Sequence, residues 1–160
     1  MENKINNLLN AQINLEFFSA YLYLAMSTYF SEINMDGFAK FMKKQAKEEL
    51  EHAQRIYDYL LLRNEKITYQ RIEAPDTNWT NAKDVLDGAI EHEKFVSEKI
   101  KEIYKAADEL DDYATLNLLD WFIDEQLEEE EKFRVLKEKI QAFDECSCTL
   151  EVMDRELDKE

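Results

Sequence analysis

The chain has 160 residues and a formal net charge of −16, with only two glycines, one proline and two cysteines. That length suits one domain with its own core, without help from disulfides or a structural metal, and scarce Gly and Pro beside abundant Glu, Lys, Leu and Ala select helices over strands. The charge excludes DNA, RNA or an anionic membrane as partner, because each would be repelled on approach, and makes cations the natural guests. Four long helices are predicted, each with core positions recurring at alternating steps of three and four. The first, over residues 4–33, carries Ile5, Leu9, Gln12, Glu16, Ser19, Tyr23, Met26 and Phe30 on one seam. The second, over 37–63, opens after an Asp36-Gly37 turn and carries Phe38, Met42, Gln45, Glu49, His52, Ile56 and Tyr59. Residues 64–80 are polar, hold the lone Pro75, and have the reach of a crossover: 17 residues extend to about 55 Å, against about 42 Å for a helix of roughly 28 residues. The third helix, over 81–108, aligns Ala82, Leu86, Ala89, Glu93, Val96, Ile100, Ile103 and Ala107, and the fourth, over 112–143, aligns Thr115, Leu119, Phe122, Gln126, Glu129, Phe133, Leu136 and Ile140. A short fifth helix is expected over 146–156.

Short links at 34–37 and 109–112 make each pair of helices an antiparallel hairpin, and the long link leaves the second and third parallel, an arrangement known among four-helix bundles. No apolar run approaches the roughly 20 residues of a membrane span. Met1-Glu2-Asn3-Lys4 leads into helix with no basic and apolar leader, so a cytoplasmic location is expected. Cys146 and Cys148 stand two apart, too close for an ordinary structural disulfide and too few for a thiolate zinc site, and are read as small helix residues.

The polar residues on the seams repeat. Glu16, Glu49 and His52 in the first hairpin correspond to Glu93, Gln126 and Glu129 in the second, each 77 positions later. In every helix this polar layer lies between apolar ones. Ionised carboxylates withdrawn from water cost several kcal/mol each and repel one another, so a converging set implies bound cations. Glu49-x-x-His52 presents an oxygen and an imidazole about 60° apart on one helix face, since three residues turn about 300°, and Gln126-x-x-Glu129 does likewise. Oxygen ligands with a single nitrogen suit iron or manganese better than thiolate-seeking metals. Other readings stand beside this one: Gln126 as a satisfied core amide, Tyr23 as a donor to a ligand carboxylate or simply a packed ring, His92 as a surface histidine off the seam, and the acidic run 124–129 as a solvated face.

Glu16, Tyr23, Glu49-x-x-His52, Glu93 and Gln126-x-x-Glu129 together resemble the ferroxidase centre of bacterial and archaeal non-haem ferritins, over essentially the whole chain. The resemblance implies an all-α, ferritin-like four-helix bundle with one long crossover between helices 2 and 3 and a short C-terminal fifth helix. It implies that Glu16, Glu49 and His52 hold one iron and that Glu49, as the bridge, holds the other with Glu93 and Glu129. Gln126 would stand beside the pair and Tyr23 behind it, and Glu48, Glu125, Glu128 and Glu129 match a third iron position of some prokaryotic members. The implied function is iron storage and detoxification: Fe(II) is oxidised by dioxygen or hydrogen peroxide at the di-iron centre, and Fe(III) is kept as mineral inside a homo-oligomeric shell of 24 copies. Haem is not expected, because Leu50 stands where bacterioferritins place a ligating methionine. Two alternatives remain at this level, a di-iron oxidase or peroxidase of low oligomeric order that stores nothing, and a helical scaffold whose central acids are coincidental.

Overall fold

The computed structural model describes residues 1–142 and 148–159. Its elements are α1 (Asn3–Glu32), α2 (Asp36–Leu62), α3 (Ala82–Asp108), α4 (Tyr113–Ala142) and α5 (Cys148–Leu157), and no strand occurs among the described residues. The helices end without glycine. Asn34, Asn64 and Asp111 take the left-handed backbone conformation (φ 59°, 55° and 51°) that glycine usually supplies after a helix. The amides that follow close the ends: Met35 N–H donates to Phe30 O at 2.9 Å, Glu65 N–H to Leu60 O at 2.9 Å and Asp112 N–H to Ala107 O at 3.0 Å. Helix starts differ in their caps. Asn81 accepts the Asp84 amide at 3.0 Å and Asp112 the Thr115 amide at 3.2 Å, whereas Met35 precedes α2 with no side-chain cap of its own.

The seams meet as two apolar clusters with a polar layer between them. One gathers Met26 and Phe30 of α1, Phe38 and Met42 of α2, Val85 and Leu86 of α3, and Phe133 and Leu136 of α4. The other gathers Ile5 and Leu9, Ile56 and Leu60, Ile100 and Ile103, and Leu119 and Phe122. The end of α1 therefore meets the starts of α2 and α3, so α1 is antiparallel to both and α2 runs parallel to α3. Each large side chain so buried contributes about 1.5–3 kcal/mol, and the Phe30 and Phe38 rings add a stacked contact at 4.9 Å.

The crossover follows α1 from end to end. Asn10 accepts the Thr68 amide at 2.7 Å and donates to Lys66 O at 3.1 Å, Thr68 and Tyr69 lie beside Ile13 and Phe17, and Trp79 packs against Tyr29 near the end of the helix. α5 folds back onto the start of α2, where its Asp154 carboxylate accepts the Phe38 amide at 2.9 Å and so supplies the missing cap. Three expectations are corrected here. Gly37 belongs to α2 rather than to a turn, and its lack of a side chain serves contact with α5: a Cβ there would stand 1.9 Å from Asp154 O. At the far end of α2 the fully buried residue is Leu60, with Tyr59 only half buried. Cys148 is disulfide-bonded, against the reading of two simple helix residues, and Cys146 lies outside the described residues.

Candidate metal centre

Halfway along the bundle each helix sends polar side chains into the gap between the apolar clusters. Glu16 and Tyr23 come from α1, Glu49 and His52 from α2, Glu93 from α3, and Gln126 and Glu129 from α4, and none of the seven is more than 5 % exposed. Ligand-capable atoms of Glu16, Glu49 and His52 all lie within 4.8 Å of one another. Within this group, Glu16 Oε2 and His52 Nδ1 have no hydrogen-bond partner, Nδ1 standing 3.3 Å from Glu49 Oε2 without bonding to it. Buried polar atoms are ordinarily satisfied, because an orphan forfeits its hydration without return. An oxygen and a nitrogen left without partners, beside the Glu49 carboxylate, fit a divalent cation with mixed oxygen and imidazole ligands.

The other half of the layer is closed by hydrogen bonds. Glu93 accepts from the Tyr23 hydroxyl through Oε1 and from Gln126 Nε2 through Oε2 at 3.0 Å. Glu129 accepts from Gln45 Nε2 through Oε2 at 2.6 Å and from the Lys132 ammonium through Oε1 at 2.8 Å. Tyr23 is fixed by stacking on Phe133, ring centroids 5.5 Å apart and nearly parallel. Gln12 donates to Glu16 Oε1 at 2.8 Å. His52 packs against Trp121 and Phe122 in T-shaped contacts, with ring centroids 5.4 and 6.0 Å away, and the Arg55 guanidinium lies 3.9 Å from the Trp121 ring centre.

Crowding leaves a clear electrostatic mark. Burial, then the charge of Glu49, holds the Glu16 carboxyl well above the usual carboxylate range, and burial, then the charge of Glu93, does the same to Glu49. Glu93 is pushed up to about 7, chiefly by burial, although the Tyr23 and Gln126 donors oppose it. Burial raises Glu129 as well, against the pull of Lys132. Burial and mutual repulsion thus raise the proton affinity of the layer, with Lys132 compensating Glu129 alone, and a divalent ion would reverse each of these tendencies.

Sequence reasoning missed several residues. His92, read as a surface histidine, is half-buried: it shares a 2.7 Å hydrogen bond with the Ser19 hydroxyl, packs on Phe18 and Tyr23, and burial lowers it to about 4. Ser19 on the α1 seam was the available signal, but the pairing joins residues 73 apart. Gln12 and Gln45 each stand four residues before a seam glutamate, which marks them as donors only in retrospect. Lys132 stands beside the seam residue Phe133, where nothing in the spacing marks it. Of the outer acids, Glu48 is half-buried and reaches Lys132 at 3.3 Å, Glu125 is half-buried, and Glu128 is exposed.

Residues 6–143 match the family model described as a ferritin-like domain. The bacterial non-heme ferritin of Staphylococcus epidermidis is 36% identical over 150 residues, 93% of this chain and 90% of that one, and that of Campylobacter jejuni is 34% identical over 145 residues, 91% and 87% of the two chains. Among solved structures, the open-pore ferritin of the hyperthermophilic archaeon Archaeoglobus fulgidus superimposes with a TM-score of 0.96 at 36% identity, covering 98% of this chain and 96% of that one. No helix among the described residues is long and apolar enough to cross a membrane. With its crossover bundle, its buried ring of acids and these likenesses, the chain belongs to the ferritin-like family.

Proposed function

We propose that this protein stores and detoxifies iron, oxidising Fe(II) at a paired site in the middle of the bundle and keeping the Fe(III) product as mineral inside a homo-oligomeric shell. The observation that carries the reading is the pair Glu16 Oε2 and His52 Nδ1 beside Glu49, buried in the middle of the bundle with no partner in the chain. Iron is here the substrate. One ferrous ion is held by Glu16, Glu49 and His52, and a second by Glu49, Glu93 and Glu129, with Glu49 between them. Two neighbouring ferrous ions release two electrons, enough to take dioxygen to hydrogen peroxide, or hydrogen peroxide to water, with two protons consumed in either case. The chain's contribution is to hold the ions side by side and to supply anionic oxygens that favour the ferric charge as it develops. Gln126 and Tyr23, hydrogen-bonded to Glu93, keep that carboxylate aimed at the pair. The names of the relatives and the fit of the fold to an archaeal ferritin support storage as the purpose. The family resemblance gives 24 copies as the size of the shell, a particle of roughly half a megadalton for a 19.1 kDa chain.

Aerobic addition of ferrous salt, followed by ferric absorbance and by gel filtration of the product, tests both parts. Oxidation faster than in buffer, lost in Glu49→Ala with His52→Ala, together with iron co-eluting with a large particle, is the expected result. Oxidation no faster than in buffer overturns the catalytic part, and elution as a small oligomer free of iron overturns storage.

A further inference from the structure

Among the described residues, Lys132 supplies the ammonium that touches this acidic layer, and its position sorts the carboxylates into two classes. On one side, Glu16 Oε2 and His52 Nδ1 are open. On the other, both oxygens of Glu129 are taken, Oε2 by Gln45 at 2.6 Å and Oε1 by Lys132 Nζ at 2.8 Å. The same Nζ lies 3.3 Å from Glu48 Oε2 on α2, so one tethered cation bridges α2 and α4 at the rim of the layer. Glu129 is 1% exposed, whereas the Lys132 and Glu48 side chains are 37% and 31% exposed. The ammonium thus reaches inward from a place where water and Glu48 can receive it if it leaves. A metal ion that uses Glu129 must first take its oxygen from a hydrogen bond between two charged groups, which is among the stronger kinds, and Lys132 and that ion repel each other.

We propose that Lys132 is a positioning residue for the second ferrous ion: in the metal-free protein its ammonium stands in for that ion on Glu129, and it withdraws to Glu48 and solvent when the ion arrives. This rests on the two-ion reading above. Uptake is then ordered, the open Glu16–Glu49–His52 group filling first and the Glu129 side second. The lone carboxylate is never left uncompensated in the interval, which would cost a buried unpaired charge.

Anaerobic calorimetric titration of the metal-free protein with ferrous ion reads the two steps separately. In Lys132→Met the second step should tighten roughly ten- to hundredfold, the worth of one charge-assisted hydrogen bond, while the first changes much less, and Lys132→Arg should restore the wild-type pattern. Paired melts supply a second readout. Lys132→Met should melt below wild type without metal and level with it when saturated with ferrous ion, a crossing that a merely structural lysine would not produce. Should Lys132→Met fold poorly, Lys132→Gln, which keeps a donor without the charge, should show a smaller tightening in the same direction. A second step unmoved or weakened in these variants, or melts lowered equally with and without ferrous ion, overturns the inference and leaves the paired site standing. A wild-type protein that takes up no ferrous ion overturns both.

Discussion

Replacing Glu93 by Gln should flatten the pH dependence of stability in the metal-free protein. Glu93 is buried and its carboxyl is pushed from an ordinary 4.5 to about 7, chiefly by burial. Between those values the folded chain holds a proton that the unfolded chain has released, so this group's stabilising contribution is complete below about pH 4.5 and is lost as pH rises toward 7. A displacement of that size corresponds to about 3 kcal/mol, or a melting shift on the order of 10 °C for a chain of this length. Glu93→Gln removes it and also relieves Glu49, for which the Glu93 charge is the largest influence after burial. Scanning calorimetry in the presence of a chelator, at about pH 5 and about pH 8, should show wild type losing on the order of 10 °C more than the variant. The amide will shift the whole curve, because Gln126 now faces a second amide, but an offset is not a slope. Parallel curves for the two proteins would refute the claim that burial holds a proton on Glu93.

His92 works in the opposite sense. Burial lowers it to about 4, so its contribution is present above the unfolded value near 6.5 and fades as pH falls toward 4; an NMR titration should find this ring neutral throughout mildly acidic solution, and a midpoint near 6.5 would show that the ring is not withdrawn from water. Gly37→Ala would place a methyl group 1.9 Å from Asp154 O and force α5 off α2. A loss of roughly 1–3 kcal/mol is expected, with faster proteolysis of the tail, and an unchanged melt and digestion pattern would show that α5 does not bear on that position.

The seams were legible because burial at helical spacing leaves a periodic trace. Glu16, Glu49, Glu93 and Glu129 stood out as acids on otherwise apolar seams, and all four are buried with the apolar residues above and below them. What the sequence withheld were pairings made across helices. The Ser19–His92 bond and the Lys132–Glu48 bridge join residues 73 and 84 apart, and no periodicity marks them. Turn chemistry misled in one place, since Asp36-Gly37 reads as a turn signal while Asn34 makes the turn. The glycine answers instead to Asp154, 117 positions later, through a contact that exists only once α5 has docked.

Trp121 gives this protein a built-in gauge. Its indole lies 5.4 Å from the His52 ring, whereas Trp79, the other tryptophan, packs on Tyr29 near the end of α1. Tyr29 is 13 residues beyond Glu16 in the same helix, about 20 Å along its axis. A paramagnetic ion seated on His52 would darken the emission of the near indole and largely spare the distant one, so the light from a single chain would report occupancy against its own internal reference.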